Sequence, residues 1–273
     1  MSDADRRHVD EHYELAGERD RLDSPLGAIE FERTKEEVAR VLPPLPATVA
    51  DIGGGPGRYS LWLAEMGYAV VHRDIVPLHV EQLREASLRA GLDIESKTAD
   101  ARDLDLQDET ADVVLLLGPV YHLAKRVDRL RALREVHRIL RPSGVALVAA
   151  ISRWAPRLHG ILVERLDRRF PEIGTEVARV ERTGTLPPLE PGSFARFCHR
   201  PMQLRREIAD AGLACVDLVS LEGIAFALSD LGERMASERD RVHVLEASRR
   251  TGRVPELLGL GPHLLATARR SGD

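Results

Sequence analysis

A glycine-rich turn at residues 53–57, reading Gly-Gly-Gly-Pro-Gly, directly follows an apolar segment of strand length. Glycines carry no side chain, so a ligand can lie against the backbone there, and a helix predicted from about Arg58 would present its free N–H groups beside it. Such a turn after a first strand is typical of ligand sites in α/β folds. A tight turn that binds no ligand can contain the same residues. The residues that follow the next strands must therefore distinguish a ligand site from a structural turn.

Apolar segments alternate with helical patterns between residues 48 and 152. This alternation predicts βαβ units that build a parallel sheet. Residues 113–117 are apolar throughout, as expected for a central strand buried on both faces. Apolar residues between 127 and 140 recur at three- and four-residue steps and predict a helix that ends before the following proline and glycine. The five predicted strands are residues 48–53, 68–75, 94–99, 111–118 and 145–152.

The segment before this core is predicted to be helical. Apolar spacing around Tyr13 suggests a first helix, and Ser24 followed by Pro25 is a typical N-cap and first residue of a second helix that reaches about residue 42. After the core, a helical apolar stripe runs from Trp154 to Phe170, and the chain is then broken by glycines and prolines. We interpret residues 153–197 as a lid inserted into the fold.

The sheet is predicted to resume after the lid. The expected elements are a helix at 202–211, a strand at 213–221, a long charged helix at 229–250 and a strand at 263–268. The predicted fold is therefore α/β, with a seven-stranded Rossmann-like sheet, helices on both faces, N-terminal helices and a helical lid. We expect a single domain over residues 1–273, divided into a cap (1–47), a core (48–152), the lid (153–197) and the completion of the sheet (198–273).

Composition narrows the class of protein. The chain has 273 residues, 43% of them hydrophobic and 30% charged, which is typical of a globular protein. A net charge of -5 argues against binding to nucleic acid. Cys198 and Cys215 stand far apart and support neither a disulfide framework nor a zinc site. No apolar segment is long enough for a membrane span, so we expect a cytoplasmic protein.

Acidic residues follow the second and third predicted strands. Asp74 can accept hydrogen bonds from both ribose hydroxyls of an adenosine, and Asp100 is placed to meet the adenine amino group. Alternatively, Asp74 caps the next helix and Asp100 is a solvated surface charge. Because the carboxyl ends of parallel strands share one edge of the sheet, these residues and the glycine turn should converge on one crevice.

These motifs together resemble those of class I S-adenosylmethionine-dependent methyltransferases. The resemblance rests on residues 51–57, on Asp74 and Asp100, and on residues 140–144 before the fifth strand, where Ser143 stands in place of the family's usual second glycine. Residues 118–123 and 197–201 are similar to a bacterial branch of the family that acts on small molecules such as natural products. The resemblance implies S-adenosylmethionine as cofactor, S-adenosylhomocysteine as product and an antiparallel last strand. The cofactor-binding residues that it implies are Asp51, Gly53, Gly55, Asp74, Ile75, Asp100, Ala101 and Leu117, with Arg19 and Arg33 for the cofactor carboxylate.

His122 is the predicted catalytic residue. It follows the fourth strand, and because histidine titrates near neutrality it can take a proton from an incoming nitrogen, oxygen or carbon nucleophile. Tyr13, on a helix that folds over the cofactor in the family, could assist it. A histidine bonded to backbone and a half-buried tyrosine are the structural alternatives. No metal is expected to take part.

Aromatic residues in or beside the lid suggest a pocket for a small aromatic or heteroaromatic acceptor. They are Trp154, His159, Phe194, Phe197 and His199. Aromatic residues at helical spacing also form cores, which is the alternative for each.

Three other functions stay open at this stage. A nicotinamide-dependent oxidoreductase shares the glycine turn and the acid after strand 2, but the sequence offers no convincing catalytic Tyr-Lys pair. A cofactor-binding protein without turnover would keep the same fold. A methyltransferase for RNA or protein would need a basic surface or an added recognition domain, and neither is evident.

Overall fold

A computed structural model describes residues 21–188 and 195–270. The predicted first helix and three predicted site residues, Tyr13, Arg19 and Phe194, lie outside the described residues. Among the described residues, no helix is both long and apolar enough to cross a membrane.

Seven strands form the central sheet, in the order β3-β2-β1-β4-β5-β9-β8. The strands β1 to β5 run parallel, β9 is antiparallel to both of its neighbours, and the predicted seven-stranded sheet with an antiparallel last strand is confirmed. The strands are β1 (Thr48–Ile52), β2 (Ala69–Asp74), β3 (Ile94–Thr98), β4 (Ala111–Leu116), β5 (Leu140–Ser152), β6 (Thr185–Leu186), β7 (Arg196–His199), β8 (Leu213–Ser220) and β9 (His263–Arg270).

Helices cover both faces of the sheet, as predicted. Ser24 caps the first described helix, since its side chain accepts a hydrogen bond from the Gly27 amide at 3.0 Å. The α-helices are α1 (Pro25–Ala39), α2 (Arg58–Glu65), α3 (Pro77–Ala90), α4 (Pro119–His122), α5 (Arg126–Ile139), α6 (Leu166–Arg169), α7 (Ile173–Thr183), α8 (Pro201–Asp210), α9 (Leu231–Ala236) and α10 (Glu238–Thr251).

Two hydrophobic clusters lie on opposite faces of the sheet. Leu133 of α5 and Leu204 of α8 pack against one face, and Val38 of α1, Leu63 of α2 and Leu83 of α3 pack against the other. All five side chains are completely buried, and each such burial contributes about 1.5–3 kcal/mol. The sheet is therefore held rigidly, and its strand ends offer a fixed edge for a site.

Two predictions about helices in the second half of the chain are wrong, and the sheet gains a hairpin beyond the seven predicted strands. The sheet has two additional short strands, because β6 and β7 form a hairpin that extends β5 at Ile151 and Ser152. The predicted lid helix is replaced by a π-helix (Pro156–Ile161) and α6, since Arg165 takes a left-handed conformation with φ of 55°. The predicted helix at 229–250 is two helices, because Ser237 is extended and its side chain caps α10.

Candidate functional site

The glycine turn connects β1 to α2 and lies against the residues that follow β4. Gly53, Gly55 and Gly57 have φ angles of 69°, 58° and 85°, which side-chain-bearing residues rarely adopt. A Cβ on Gly53 would lie 2.5 Å from Pro119, the first residue of α4, whereas a Cβ on Gly55 would meet nothing within 4 Å. The turn is thus closely packed at Gly53 and open above Gly55.

Asp51 lies beneath this turn and is completely buried. Its Oδ2 accepts a hydrogen bond from the Ser60 hydroxyl at 2.7 Å, and its Oδ1 has no hydrogen-bond partner among the described residues. Burial raises the pKa of this carboxyl group, and His72 and Ser60 offset the rise only in part. Asp51 therefore keeps one acceptor oxygen that a donor on a ligand or a water molecule could satisfy.

Asp74 ends β2 and is bonded to the glycine turn. Its Oδ2 accepts from the Gly55 amide at 2.8 Å, and its Oδ1 accepts from the Val76 amide at 2.8 Å and lies 3.2 Å from Nδ1 of His79. Burial alone would raise the pKa of Asp74, but the hydrogen bond and charge of His79 and the Val76 amide bring it below its ordinary value. An ionised carboxylate offers about four acceptor positions, so Oδ2 keeps room for one more donor.

His72 supports the turn from below, a role that the sequence analysis missed. Its Nε2 lies 3.0 Å from the Gly55 carbonyl oxygen, and its Nδ1 lies 2.9 Å from the Ser96 hydroxyl on β3. The carbonyl can only accept, so Nε2 carries the proton and donates it. Only the parallel register of β1 and β2, which pairs Asp51 with His72, brings this side chain beside Gly55.

Asp100 follows β3 and is bound to Arg102. The arginine donates to both carboxylate oxygens, and the Arg102 amide donates to Oδ1 at 3.0 Å. Burial would raise the pKa of Asp100, but these hydrogen bonds lower it. The other predicted cofactor residues at the strand ends, Ile75, Ala101 and Leu117, are half-buried at the same edge of the sheet.

His122 ends the short helix α4 at this edge, and its ring lies 4.7 Å from that of Tyr121. A buried arginine holds the chain immediately after it. Nη1 of Arg129 donates to the carbonyl oxygens of Leu123 at 2.9 Å and Ala124 at 2.8 Å, while Nε and Nη2 donate to Glu207 at 2.8 Å each. The loop that follows His122 therefore has a fixed position relative to α5 and α8.

Two predicted acceptor residues belong to this buried support instead. Phe197 lies under the Arg129 guanidinium, with 3.6 Å between the guanidinium carbon and the ring centroid. His199 is completely buried, and its Nε2 lies 3.3 Å from Glu207. Burial lowers the pKa of His199, although Glu207 opposes the shift. The prediction that Phe197 and His199 line an acceptor pocket is corrected, because both pack inside the fold.

The prediction that Arg33 binds the cofactor carboxylate is also corrected. Its Nη2 donates to Glu37 at 2.8 Å, and its Nη1 forms an ion pair with Glu36, both within α1. The side chain is 3% exposed, and the two carboxylates of its own helix neutralise its charge. The guanidinium of Arg33 therefore forms ion pairs within its own helix.

The remaining predicted acceptor residues lie where the chain leaves β5. Trp154 is 39% exposed. His159, on the π-helix, is half-buried and meets the edge of Phe226 with ring centroids 6.3 Å apart. Burial lowers the pKa of His159, so its imidazole is neutral near pH 7. The structure thus keeps Trp154 and His159 accessible beside the strand ends.

The structure also contains a cluster of titratable residues that was not predicted from the sequence. Among the described residues, Glu30, Glu222 and His263 form the one group whose ligand atoms are close enough to hold a cation. His263 begins β9, and Glu222 follows β8. The sequence contains little indication of this cluster, because the three residues are distant in sequence and share no motif.

Residues 50–148 match the family described as a methyltransferase domain. The chain is 32% identical to a ubiquinone biosynthesis O-methyltransferase from Cereibacter sphaeroides over 46% of this chain and 49% of the relative. It therefore spans about half the length of the curated relatives that it matches.

Two solved structures resemble the whole fold. A methyltransferase from Methanosarcina mazei has a TM-score of 0.60 at 17% identity and covers 87% of this chain and 98% of its own. The Burkholderia thailandensis 1,6-didemethyltoxoflavin-N1-methyltransferase, solved with its substrate and S-adenosylhomocysteine, has a TM-score of 0.59 at 14% identity and covers 98% and 89%. The chain thus carries a match to a methyltransferase domain over residues 50–148 and shares the fold of these two methyltransferases.

Proposed function

We propose that this chain transfers a methyl group from S-adenosylmethionine to a nitrogen, oxygen or nucleophilic carbon of a small aromatic or heteroaromatic metabolite. The observation that carries the proposal is the meeting, at one edge of the sheet, of an open glycine turn, two buried acids and a histidine. A net charge of -5 favours a small acceptor over nucleic acid. We also propose that residues 153–197 act as a lid over this acceptor and that the protein works in the cytoplasm as one domain.

The described residues fit the cofactor. The space above Gly55 admits a ligand against the backbone, and Oδ1 of Asp51 is an unsatisfied acceptor beneath the turn. Oδ2 of Asp74 can accept a hydrogen bond from a ribose hydroxyl in addition to the one that it already accepts from the Gly55 amide. Asp100 can reach the adenine amino group beside Arg102, and Ile75, Ala101 and Leu117 would lie against the adenosine. In this proposal Arg19 binds the cofactor carboxylate in place of Arg33.

The sulfonium of S-adenosylmethionine supplies an activated methyl group, so the chain mainly has to align the acceptor and exclude water. His122 follows β4, and α4 touches the glycine turn through Pro119 and Gly53. From that position its imidazole would take the proton of the acceptor, assisted by Tyr13. Trp154, His159 and Phe194 would line the acceptor pocket.

The name of one relative specifies an O-methyltransferase, and that of one structural neighbour specifies an N1-methyltransferase. Both acceptor atoms therefore remain in the proposal, together with carbon. The alternatives are a nicotinamide-dependent oxidoreductase and a cofactor-binding protein without turnover.

Two measurements test the proposal. Calorimetric titration of the full chain should give binding of S-adenosylmethionine and S-adenosylhomocysteine and none of NAD. Incubation with trideuteromethyl-labelled cofactor and a bacterial metabolite extract should then yield a product heavier by one labelled methyl group. Binding of NAD alone would establish the oxidoreductase, and cofactor binding without any labelled product would favour the non-catalytic alternative.

A further inference from the structure

The cluster of Glu30, Glu222 and His263, here called the His263 cluster, lies at the same edge of the sheet as the proposed cofactor site. Because β9 is antiparallel to β5, its first residue lies where the parallel strands end. Glu222 comes two residues after the end of β8, and Glu30 reaches the cluster from α1. Three elements that are separate in sequence thus place charged side chains together.

Glu222 fixes the orientation of the His263 ring. Its Oε1 lies 2.6 Å from Nδ1, and its Oε2 accepts the His263 backbone amide at 3.0 Å. Glu30 lies 3.7 Å from the same Nδ1 and is itself held by Arg21 through hydrogen bonds of 2.6 and 3.0 Å. With Nδ1 bound in this way, Nε2 is the ring nitrogen left to bind a ligand.

The ring carries a positive charge near neutral pH. Burial would lower the pKa of His263, but Glu30 and Glu222 outweigh it and raise the pKa to about 9. Arg21, behind Glu30, opposes the rise. On the lid side, His159 interacts electrostatically with Glu222 and His263 and remains neutral because burial lowers its pKa.

The position of His263 relative to His122 suggests what this charge is for. In the sheet, β5 lies between β4, which leads to His122, and β9, which begins at His263. Two strand spacings, or about 10 Å, separate β4 from β9 across β5, and a one- or two-ring molecule has this size. The edge-on pair of His159 and Phe226 lies near the cluster, because His159 interacts electrostatically with Glu222 and His263.

We propose that His263 binds an anionic oxygen of the acceptor through its Nε2–H, so that the acceptor is an aromatic compound with an acidic oxygen at the end opposite to the methylated atom. The inference rests on the proposed function and adds the substrate class. Glu222 orients the ring, Glu30 helps to keep it protonated, and the aromatic pair of His159 and Phe226 covers the acceptor ring. A hydrogen bond from a charged donor to an oxyanion is stronger than one from a neutral donor. The site should therefore select anionic acceptors over neutral ones.

The test compares benzoate with benzamide, which have nearly the same shape and differ in charge. Calorimetry on the full chain saturated with S-adenosylhomocysteine should show that benzoate binds at least about tenfold more tightly. His263→Gln should abolish this preference by lowering the affinity for benzoate to about that for benzamide. His243→Gln, at an exposed histidine on α10, is the matched control and should change nothing.

The dependence on pH gives a second readout. The affinity for benzoate should remain constant between about pH 6 and 8 and fall as the pH rises through about 9, because His263 then loses its proton. In His263→Gln this fall should be absent. Glu222→Gln should move the fall to lower pH, because one of the two carboxylates that hold the proton is neutralised.

The proposal is overturned if benzoate and benzamide bind equally, if neither binds at millimolar concentration, or if the preference survives His263→Gln. Binding of Mn²⁺ that is lost in His263→Gln would also overturn it, because the cluster would then be a metal site. Failure of the proposed function is a separate outcome, since it appears as loss of S-adenosylhomocysteine binding in the unmodified protein.

Discussion

The Asp74 carboxylate accepts a hydrogen bond from the Gly55 amide at 2.8 Å, and this contact joins the end of β2 to the glycine turn after β1. The two features that indicated a cofactor site in the sequence are thus one structural unit. His72 holds the carbonyl side of the same glycine through Nε2 at 3.0 Å. The open conformation of the turn therefore depends on β2 as much as on its own glycines.

Asp74→Ala should weaken the binding of S-adenosylhomocysteine by about 1.5–3 kcal/mol, the usual range for hydrogen bonds to a charged group. Both the proposed ribose contact and the anchor of the Gly55 amide are lost. Calorimetric titration measures the effect. Asp103→Ala, at an exposed residue of the loop after β3, is the control and should bind like the unmodified protein.

The alternative role of Asp74 gives a different result. If the carboxylate only holds the Val76 amide at the start of α3, the variant will lose thermal stability and keep its affinity for the cofactor product. Unchanged affinity together with a lower melting temperature would exclude the ribose contact.

Gly55→Ala should reduce cofactor affinity more than it reduces stability. Alanine at a φ of 58° costs about 1–2 kcal/mol, and its methyl group would occupy the open space where the cofactor is proposed to lie. Gly91→Ala is a matched control, because Gly91 ends α3 with a φ of 67°, and a Cβ at that position would also meet nothing within 4 Å. Urea unfolding and calorimetry on both variants separate the two effects.

Equal losses of stability are expected in the two alanine variants, with a loss of cofactor affinity in Gly55→Ala alone. If Gly55→Ala binds S-adenosylhomocysteine normally, the space above the turn is not where the cofactor lies.

Glu207→Gln should destabilise the protein in a way that depends on pH. Burial would raise the pKa of Glu207, but the hydrogen bonds from Arg129 and His199 lower it to about 2, against 4.5 for the free side chain. A lowered pKa in the folded state stabilises above pH 4.5, and the contribution disappears as the pH falls from about 4.5 to 2. Near neutral pH the variant should lose about 2–4 kcal/mol, because Arg129 keeps a buried charge without its carboxylate.

Urea unfolding near pH 7 and near pH 3 measures this difference, which should be clearly smaller at the lower pH. Glu246→Gln, at a surface glutamate that forms ion pairs with Arg249 and Arg250, is the control and should have little effect at either pH. A destabilisation by Glu207→Gln that is the same at both pH values would show that packing, and not the carboxylate charge, accounts for it.

The sequence predicted the elements whose signals are local. The apolar run of β4 and the Ser24-Pro25 cap each determine an element through neighbouring residues. Residues whose roles depend on distant partners were misread. His199 and Phe197 looked like acceptor residues because aromatic type does not distinguish an open pocket from a core, and only Glu207 and Arg129 reveal the buried cluster.

The same reason explains the errors at Arg33 and at the His263 cluster. Arg33 has the positive charge that would bind a cofactor carboxylate. Its guanidinium instead forms ion pairs with Glu36 and Glu37, which lie within about one turn of α1. His263 lies 41 residues from Glu222 in the chain, and only the antiparallel pairing of β8 with β9 brings them together. Charge alone therefore did not show which residues pair.

His122 allows the sharpest test of the proposed chemistry. If its imidazole takes the proton from the acceptor, His122→Ala should leave the affinity for S-adenosylhomocysteine nearly intact and reduce turnover by about 100- to 10,000-fold. Turnover is followed with labelled cofactor on the acceptor found in the metabolite screen. The contacts of Arg129 with Leu123 and Ala124 should keep α4 in place in the variant, so a loss of rate would report on chemistry.

The pH profile separates a base from a residue that only orients the acceptor. In the unmodified protein the rate should rise with pH as the imidazole loses its proton, and this acidic limb should be absent in His122→Ala. His122→Gln keeps hydrogen bonding but cannot take a proton, so it should be about as slow as the alanine variant. If the glutamine variant turns over at the unmodified rate, His122 only positions the acceptor, and the acceleration comes from proximity alone.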